Sequence, residues 1–363
     1  MIYLDNSATT MVDDRVLETF NKVCKNYPGN SNSLHSLGIK SKELEEYATE
    51  KISNLLGVKP SEIIYTSGAS ESNNTVLKGV ASKYKNRGNH IITTPLEHSS
   101  ILETCKYLEN KGFIIDYVKI KDNGLIDIED LERLLTDNTI LVSVAYVDSE
   151  LGIRQDIDTI SKIVKKHPKC YFHVDATQAI GKIKVDPTSI DFISMSAHKI
   201  FGLKGIGLLI KKDNIVIDNL IHGGKSTTIY RSGTPALPLI CSLMKALELV
   251  IPNIDKNYEY VSSLSRKIKD NLKKYDNIHI NSTENSIPYI INFSVIGVKP
   301  ETFIHTTEEE DIYLSTKSAC STSDVSLSVD SIYHNREISM SSIRISLSYK
   351  NTEEEIDKFI KAF

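Results

Sequence analysis

A chain of 363 residues with 40% hydrophobic and 25% charged side chains is long enough for two domains and a large core. Its net charge of −4 is not gathered into blocks, which argues against nucleic acid or an anionic membrane as the main partner. No apolar run is expected to span a bilayer, the start Met-Ile-Tyr-Leu-Asp-Asn lacks the features of a secretion signal, and a cytoplasmic protein is expected.

Residues 2–4 are predicted to form a short strand that leads into the turn Asp5 to Thr10, and Asp13 or Asp14 can cap the helix that follows. From His35 to Leu56, Leu37, Leu44, Ala48, Ile52 and Leu55 recur at helical spacing, with Gly57 placed to end the helix. An alternation then begins. Strands are predicted at Glu62 to Thr66, His90 to Thr94, Phe113 to Ile120, Thr139 to Val147, Tyr171 to Val174, Ile190 to Met195 and Gly205 to Lys211. Helices at Ala69 to Lys85, Ser99 to Asn110, Ile128 to Leu135 and Ile157 to Lys166 fall between the earlier ones. This order predicts an α/β fold: a mostly parallel central sheet with helices on both faces. Pro235 to Val250 and Ile254 to Tyr275 read as helices separated at Pro252. Shorter strands (Tyr289 to Ser294, Ile343 to Ser348) and a last helix from Glu353 complete the pattern, and the Ser/Thr-rich stretch from Ser315 to Ser331 is predicted to be a loop. The expected division is an N-terminal segment, 1–14, near the active site and against the small domain, a large domain, 15–252, and a smaller α+β domain, 253–363.

Polar groups gather where the predicted strands end, the edge at which open α/β sheets bind ligands. Lys199, in Ser196-Ala197-His198-Lys199, follows the strand 190–195, and its amine suits a Schiff base with pyridoxal phosphate. Thr66-Ser67-Gly68-Ala69-Ser70-Glu71 runs from a strand into a helix, whose free N–H groups can hold a phosphate. The same residues also make an ordinary helix cap. His98 can stack on a flat cofactor or stand as a polar surface group. Asp175 emerges from an apolar strand and needs a positive partner, either a protonated pyridine nitrogen or a buried arginine, and Gln178 can reach the ring's other polar edge. Arg231-Ser232-Gly233-Thr234 offers a further phosphate contact, and Arg344 a planar fork for a carboxylate.

The five cysteines form no Cys-x-x-Cys pair, so no zinc site, cluster site or disulfide framework is expected. Four lie among apolar or helical neighbours and read as small core residues. Cys320 lies in Ser-Thr-Lys-Ser-Ala-Cys-Ser-Thr, where Lys317 favours the thiolate.

Eight short segments, in order, resemble the cysteine desulfurases of the iron–sulfur-cluster and nitrogenase-maturation type, fold-type I pyridoxal-phosphate enzymes of the class V aminotransferase family. They are Tyr-Leu-Asp-Asn-Ser-Ala-Thr-Thr at 3–10, Thr-Ser-Gly-Ala-Ser-Glu-Ser at 66–72, Glu-His at 97–98, His-Val-Asp-Ala-Thr-Gln at 173–178, Ser-Ala-His-Lys at 196–199, Arg-Ser-Gly-Thr at 231–234, Ser-Ala-Cys at 318–320 and Ser-Ser-Ile-Arg at 341–344. The resemblance implies that Lys199 carries the cofactor, Asp175 pairs with its pyridine nitrogen, His98 stacks on its ring and Gln178 meets its phenolic oxygen. Ala69, Ser70, Ser196 and His198 would hold the phosphate, with Thr234 from the other subunit of a homodimer. Arg344 would bind the carboxylate of L-cysteine, and Cys320 would accept its sulfur as a persulfide destined for an acceptor protein.

The chain departs from that family at four places. Asp148-Ser149-Glu150 replaces Asn-Asn-Glu, so Ser149 stands where an asparagine normally contacts cofactor and substrate. Lys225-Ser226-Thr227-Thr228-Ile229 replaces a conserved-type Gly-Gln-Glu-Arg-Gly run, Lys317 replaces a glycine, and the stretch from Cys320 to Arg344 is shorter. A specialised desulfurase is therefore expected, with a selenocysteine lyase or a cofactor-binding partner protein of a sulfur pathway as the alternatives.

Overall fold

The computed structural model describes residues 1–224, 226–316 and 325–363. Cys320 and Lys317 therefore lie outside the described residues.

The chain begins with a two-residue strand, β1 (Ile2–Tyr3). Helix α1 (Asp14–Asn26) starts where the Asp13 carboxylate accepts the Arg15 N–H, and α2 (Ser36–Leu56) ends at Gly57, whose φ of 66° is the left-handed conformation that closes a helix. The alternating part follows: β2 (Ile63–Thr66), α3 (Ala69–Tyr84), β3 (His90–Thr93), α4 (Ser99–Glu109), β4 (Ile114–Tyr117), α5 (Ile128–Leu134), β5 (Thr139–Ala145), α6 (Ile157–Val164), β6 (Tyr171–Asp175), β7 (Phe192–Ser196) and β8 (Gly207–Lys211). These strands form one seven-stranded sheet in the order β2-β8-β7-β6-β5-β3-β4. Neighbours from β7 to β4 run parallel, and β8 is antiparallel to both β7 and β2.

The period of two sends successive strand residues into two cores. Ile64, Ile91, Phe192 and Leu209 pack with Val76, Leu77 and Val80 of α3 and Ile101 and Leu108 of α4. Ile63, Ile92, Ile193 and Leu208 face the other core, with Ile157 and Ile160 of α6 and Leu243 and Leu247 further on. Burial on both faces explains the unbroken apolar run of β5, all of it buried.

After the sheet come α7 (Leu237–Val250) and α8 (Ile254–Leu272), joined through a tight turn at Pro252. Together they span 36 residues, Leu237–Leu272, which by length and composition alone are long and apolar enough to cross a membrane, contrary to the sequence expectation. Ile240, Leu243, Ala246 and Leu247 are instead buried in the protein core. Strands β9 (Ile278–Ile280), β10 (Ile290–Val295) and, later, β12 (Ser342–Ser346) make an antiparallel sheet in the order β12-β10-β9. Between them lie α9 (Pro300–Glu309), β11 (Ile312–Tyr313), α10 (Leu327–Tyr333) and α11 (Arg336–Met340), and α12 (Glu353–Ala362) closes the chain. The first strand returns here: β1 pairs in parallel with β11, and the Asn6 side chain donates to the Ser346 carbonyl at 2.9 Å.

Three expectations are corrected. The predicted loop 315–331 is helical from Leu327, because Ser326 caps a helix by accepting the Val329 N–H. Cys24 is exposed, one residue past the buried Val23, so among the described residues Cys105, Cys170 and Cys241 are the core thiols. Leu37, read as part of the apolar face of α2, is exposed in its first turn.

Candidate active site

Strands β2, β3, β5, β6 and β7 all end at one edge, and the residues that follow them enclose a cavity of 410 Å³. Arrival there requires particular backbone. Gly68, at φ 152°, turns the chain from β2 into α3, and a Cβ on it would lie 3.3 Å from the Ser196 hydroxyl. The turn after Lys199 places Phe201 at φ 63°, a left-handed conformation that a bulky residue adopts only under constraint. Its N–H donates to the Thr10 hydroxyl at 2.7 Å and its carbonyl accepts the Asp13 N–H at 3.0 Å. The N-terminal segment thus holds the strained turn that presents Lys199.

The Lys199 amine donates to the carbonyls of Ser7 at 2.6 Å and Ala8 at 2.7 Å. On the cavity wall formed by β6, Asp175 accepts from the Asn73 amide at 2.8 Å and from the Thr177 N–H at 3.0 Å. Below it in the strand, His173 is bracketed by Ser143 and Ser194, and burial pushes its pKa down to about 4. His98 caps α4 through Nδ1, which accepts the Ser100 N–H at 3.1 Å. That bond puts the proton of the neutral ring on Nε2. Burial also lowers the His98 pKa, and burial followed by the Lys199 charge lowers that of His198 to about 4, so both rings are neutral near pH 7.

The first two residues of α3, Ala69 and Ser70, whose N–H groups lie in the helix's first turn, line the cavity together with Ser196, His198 and Lys204. Arg231, a candidate phosphate contact in the sequence, is engaged elsewhere: its Nε donates to Glu71 at 3.0 Å, and Glu71 accepts the Ser67 N–H at 2.7 Å. Arg344 is buried, with Nη2 on Asp5 at 2.9 Å and Nη1 on the Ser149 carbonyl at 3.0 Å. The Ser149 carbonyl also accepts the Ser7 hydroxyl at 3.0 Å. Asp148 and Glu150, on either side of Ser149, are both buried. Asp148 accepts the Glu150 N–H at 3.1 Å and the Ser328 hydroxyl at 3.0 Å, so it builds the turn that leaves Ser149 on the cavity. Burial, then the Glu150 charge, push the Asp148 pKa up to about 7.

Ten of the residues singled out in the sequence therefore line one cavity. Thr234 is exposed and stands apart from that lining, and Cys320 is outside the described residues. Sequence reasoning missed Asn73, which holds Asp175, and Lys182, a buried amine that donates to the Gln178 side-chain oxygen. Their signal is faint: an Asn-Asn pair in a helix that is otherwise apolar on one face, and one lysine in the short stretch Ala179-Ile180-Gly181-Lys182-Ile183. It also missed the carbonyls of Ser7 and Ala8, since backbone acceptors leave no mark on residue type.

A family model described as aminotransferase class-V matches residues 2–359. A cysteine desulfurase IscS of Clostridium botulinum is 39% identical to the chain over 364 residues, covering 98% of it and 91% of the relative. Among solved structures, a NifS-like protein superposes with a TM-score of 0.94 at 38% identity, over 99% of this chain and 97% of its own. A structure described as SspA in complex with cysteine superposes with a TM-score of 0.86 at 32% identity, over 97% and 100% of the two chains.

Proposed function

The chain belongs to the class-V aminotransferase family, beside the cysteine desulfurases it matches from end to end, and on that premise we propose that it takes sulfur from L-cysteine with bound pyridoxal phosphate. Enzymes of this family generally use that cofactor. The observation that carries the reading is the convergence of the Lys199 amine, the Asp175 carboxylate and the buried Arg344 on one cavity.

The donor set fits the cofactor. Its anionic end suits the α3 N-terminus, where Gly68 keeps clear a space that a Cβ would fill against Ser196. Its ring nitrogen suits Asp175, whose two oxygens are oriented by Asn73 and Thr177. The Thr177 hydroxyl is buried on the same wall without a hydrogen-bond partner among the described residues. Ala69, Ser70, Ser196 and His198 would hold the phosphate, Asp175 the ring nitrogen, Ser149 the phenolic edge and Lys199 the aldehyde carbon, while Gln178, expected from the sequence at the phenolic edge, has its amide N–H groups on Ser7.

When bound, pyridoxal phosphate supplies an electron sink for the charge left at the substrate Cα. Arg344 binds the substrate carboxylate through its planar fork. The Lys199 amine, set against the Ser7 and Ala8 carbonyls, takes the Cα proton. Asp175 keeps a proton on the atom facing it by its negative charge. His98, neutral with its proton on Nε2, covers the opposite side and excludes water. The Cys320 thiolate forms an S–S bond with the substrate sulfur as the substrate Cβ–S bond breaks; Cβ keeps the bonding pair and takes up a proton, Lys199 returns its proton to Cα, and alanine and a persulfide on Cys320 are left.

An acceptor protein then removes that sulfur, and the working form is a homodimer in which Thr234 completes the partner's phosphate site. Supporting the dimer, Thr234 is exposed, and Val216, Leu220, Ile221 and Ile229 nearby in sequence are exposed apolar residues. Incubation of the purified protein with L-cysteine is expected to yield alanine and, with a thiol reductant, equal sulfide. Cys320→Ala is expected to abolish both. Full turnover in Cys320→Ala, or cofactor binding without any alanine, would refute the reading.

A further inference from the structure

Lys182 has no part in the roles assigned so far. It follows Gln178 by four residues in a run of turns, and the intervening Gly181, at φ 78°, lets the chain pack closely there: a Cβ on it would lie 2.9 Å from Ile200 and from Val250. The Lys182 side chain is buried, and a methionine would fill similar space without the cost of desolvating an ammonium. Its amine donates to the Gln178 side-chain oxygen. The Gln178 amide nitrogen donates to the Ser7 carbonyl at 2.9 Å and hydroxyl at 3.0 Å, and the same Ser7 carbonyl receives the Lys199 amine. Lys182 and Lys199 also share the wall of a second, very small cavity with Asn6 and Tyr289.

We propose that Lys182 is a positioning residue of the cofactor site, whose ammonium locks the Gln178 carboxamide with its N–H groups toward Ser7 and so fixes the carbonyl on which the Lys199 amine rests. A charged ammonium only donates, so a flipped carboxamide would set donor against donor. The lock is therefore one-way while Lys182 keeps its proton. The charged groups acting on it are Lys199 at the end of β7 and Arg344 on β12, and burial followed by their charges pushes its pKa down to about 7. Lys182 in turn is among the charges that hold His198 neutral. The Lys199 charge is one cause of the lowered Lys182 pKa, so the two amines repel each other across the site.

This inference rests on the cofactor reading above, and one experiment separates the two. Pyridoxal phosphate is titrated into the full-length protein at equilibrium, the pH midpoint of the bound cofactor's absorbance is recorded, and thermal melting is measured alongside. Lys182→Met is expected to weaken binding about tenfold or more, the share of one hydrogen bond to a charged group, and to move the midpoint to higher pH. In a Gln178→Met background the same change is expected to cost nothing further, because the lock is already gone. If Lys182→Met does not fold, Gln178→Glu decides: it keeps an ion pair with Lys182 but has no N–H for Ser7, so it should fold and bind as weakly. Parent-like binding and midpoint in both variants, a lowered melting temperature alone, or additive losses in the double variant would overturn the role of Lys182. A parent protein that binds no pyridoxal phosphate would overturn the cofactor reading itself.

Discussion

A carboxylate at the end of a buried strand costs free energy unless something positive faces it, and Asp175 is such a group. Asn73 and Thr177 orient it without neutralising it. Asp175→Asn keeps the size of the side chain but removes its charge and one of its two acceptor oxygens, so bound cofactor is expected to remain and alanine formation to fall about 100-fold or more. Loss of cofactor with unchanged turnover per bound cofactor would instead make Asp175 a simple binding group. Arg344 is argued in the same way. Its fork is held by Asp5 and Ser149, a geometry an ammonium does not reproduce, and Arg344→Lys is expected to raise KM for L-cysteine about tenfold or more with a smaller change in kcat. An unchanged KM would place the substrate carboxylate elsewhere.

Elements matter here because turns, rather than helix faces, aim the functional groups. The turn from β2 into α3 needs Gly68, and Gly68→Ala is expected to weaken cofactor binding about tenfold while leaving the melting temperature within a few degrees. Equal loss of binding and of stability would show that the turn serves the fold alone. The sequence revealed most of these elements because the central strands are buried on both faces and their turns carry the polar residues that converge on the cavity. It did not reveal α10, whose seven residues, Leu-Ser-Val-Asp-Ser-Ile-Tyr, make about two turns, too short a run to mark a helical period. Nor did it reveal the exposure of Cys24, which depends on a single residue's rotation about α1. Lys182 was invisible for a tertiary reason: its burial comes from segments far along the chain, including the N-terminal residues and the turn after β7.

On the scale of the whole molecule, buried ionisable groups set how stability follows pH. His173 and His198 have pKa values near 4 in the fold, below the ordinary 6.5, so the unfolded chain binds more protons and stability is lost as pH falls from about 6.5 to 4. Asp148 and Glu97 act oppositely. Burial raises them to about 7 and about 8, above the ordinary 3.8 and 4.5, so stability is lost as pH rises through that range and levels off above it. Asp148→Asn removes one of these and keeps the shape. Relative to the parent, it is expected to gain more than about 1 kcal/mol between pH 5 and pH 8 in denaturant melts. A loss over the same interval would mean that the ionised carboxylate is what holds Ser328 and the Glu150 N–H.

Two residues far apart in the chain, an amine at 199 and a thiol at 320, are proposed to serve one bound cofactor. Peptide mass mapping after brief incubation with sulfur-labelled L-cysteine tests this most directly. One added labelled sulfur is expected on the Cys320 peptide of the parent protein and none on that peptide in Lys199→Ala. Label on Cys24 in place of Cys320, or label on Cys320 that survives Lys199→Ala, would contradict it.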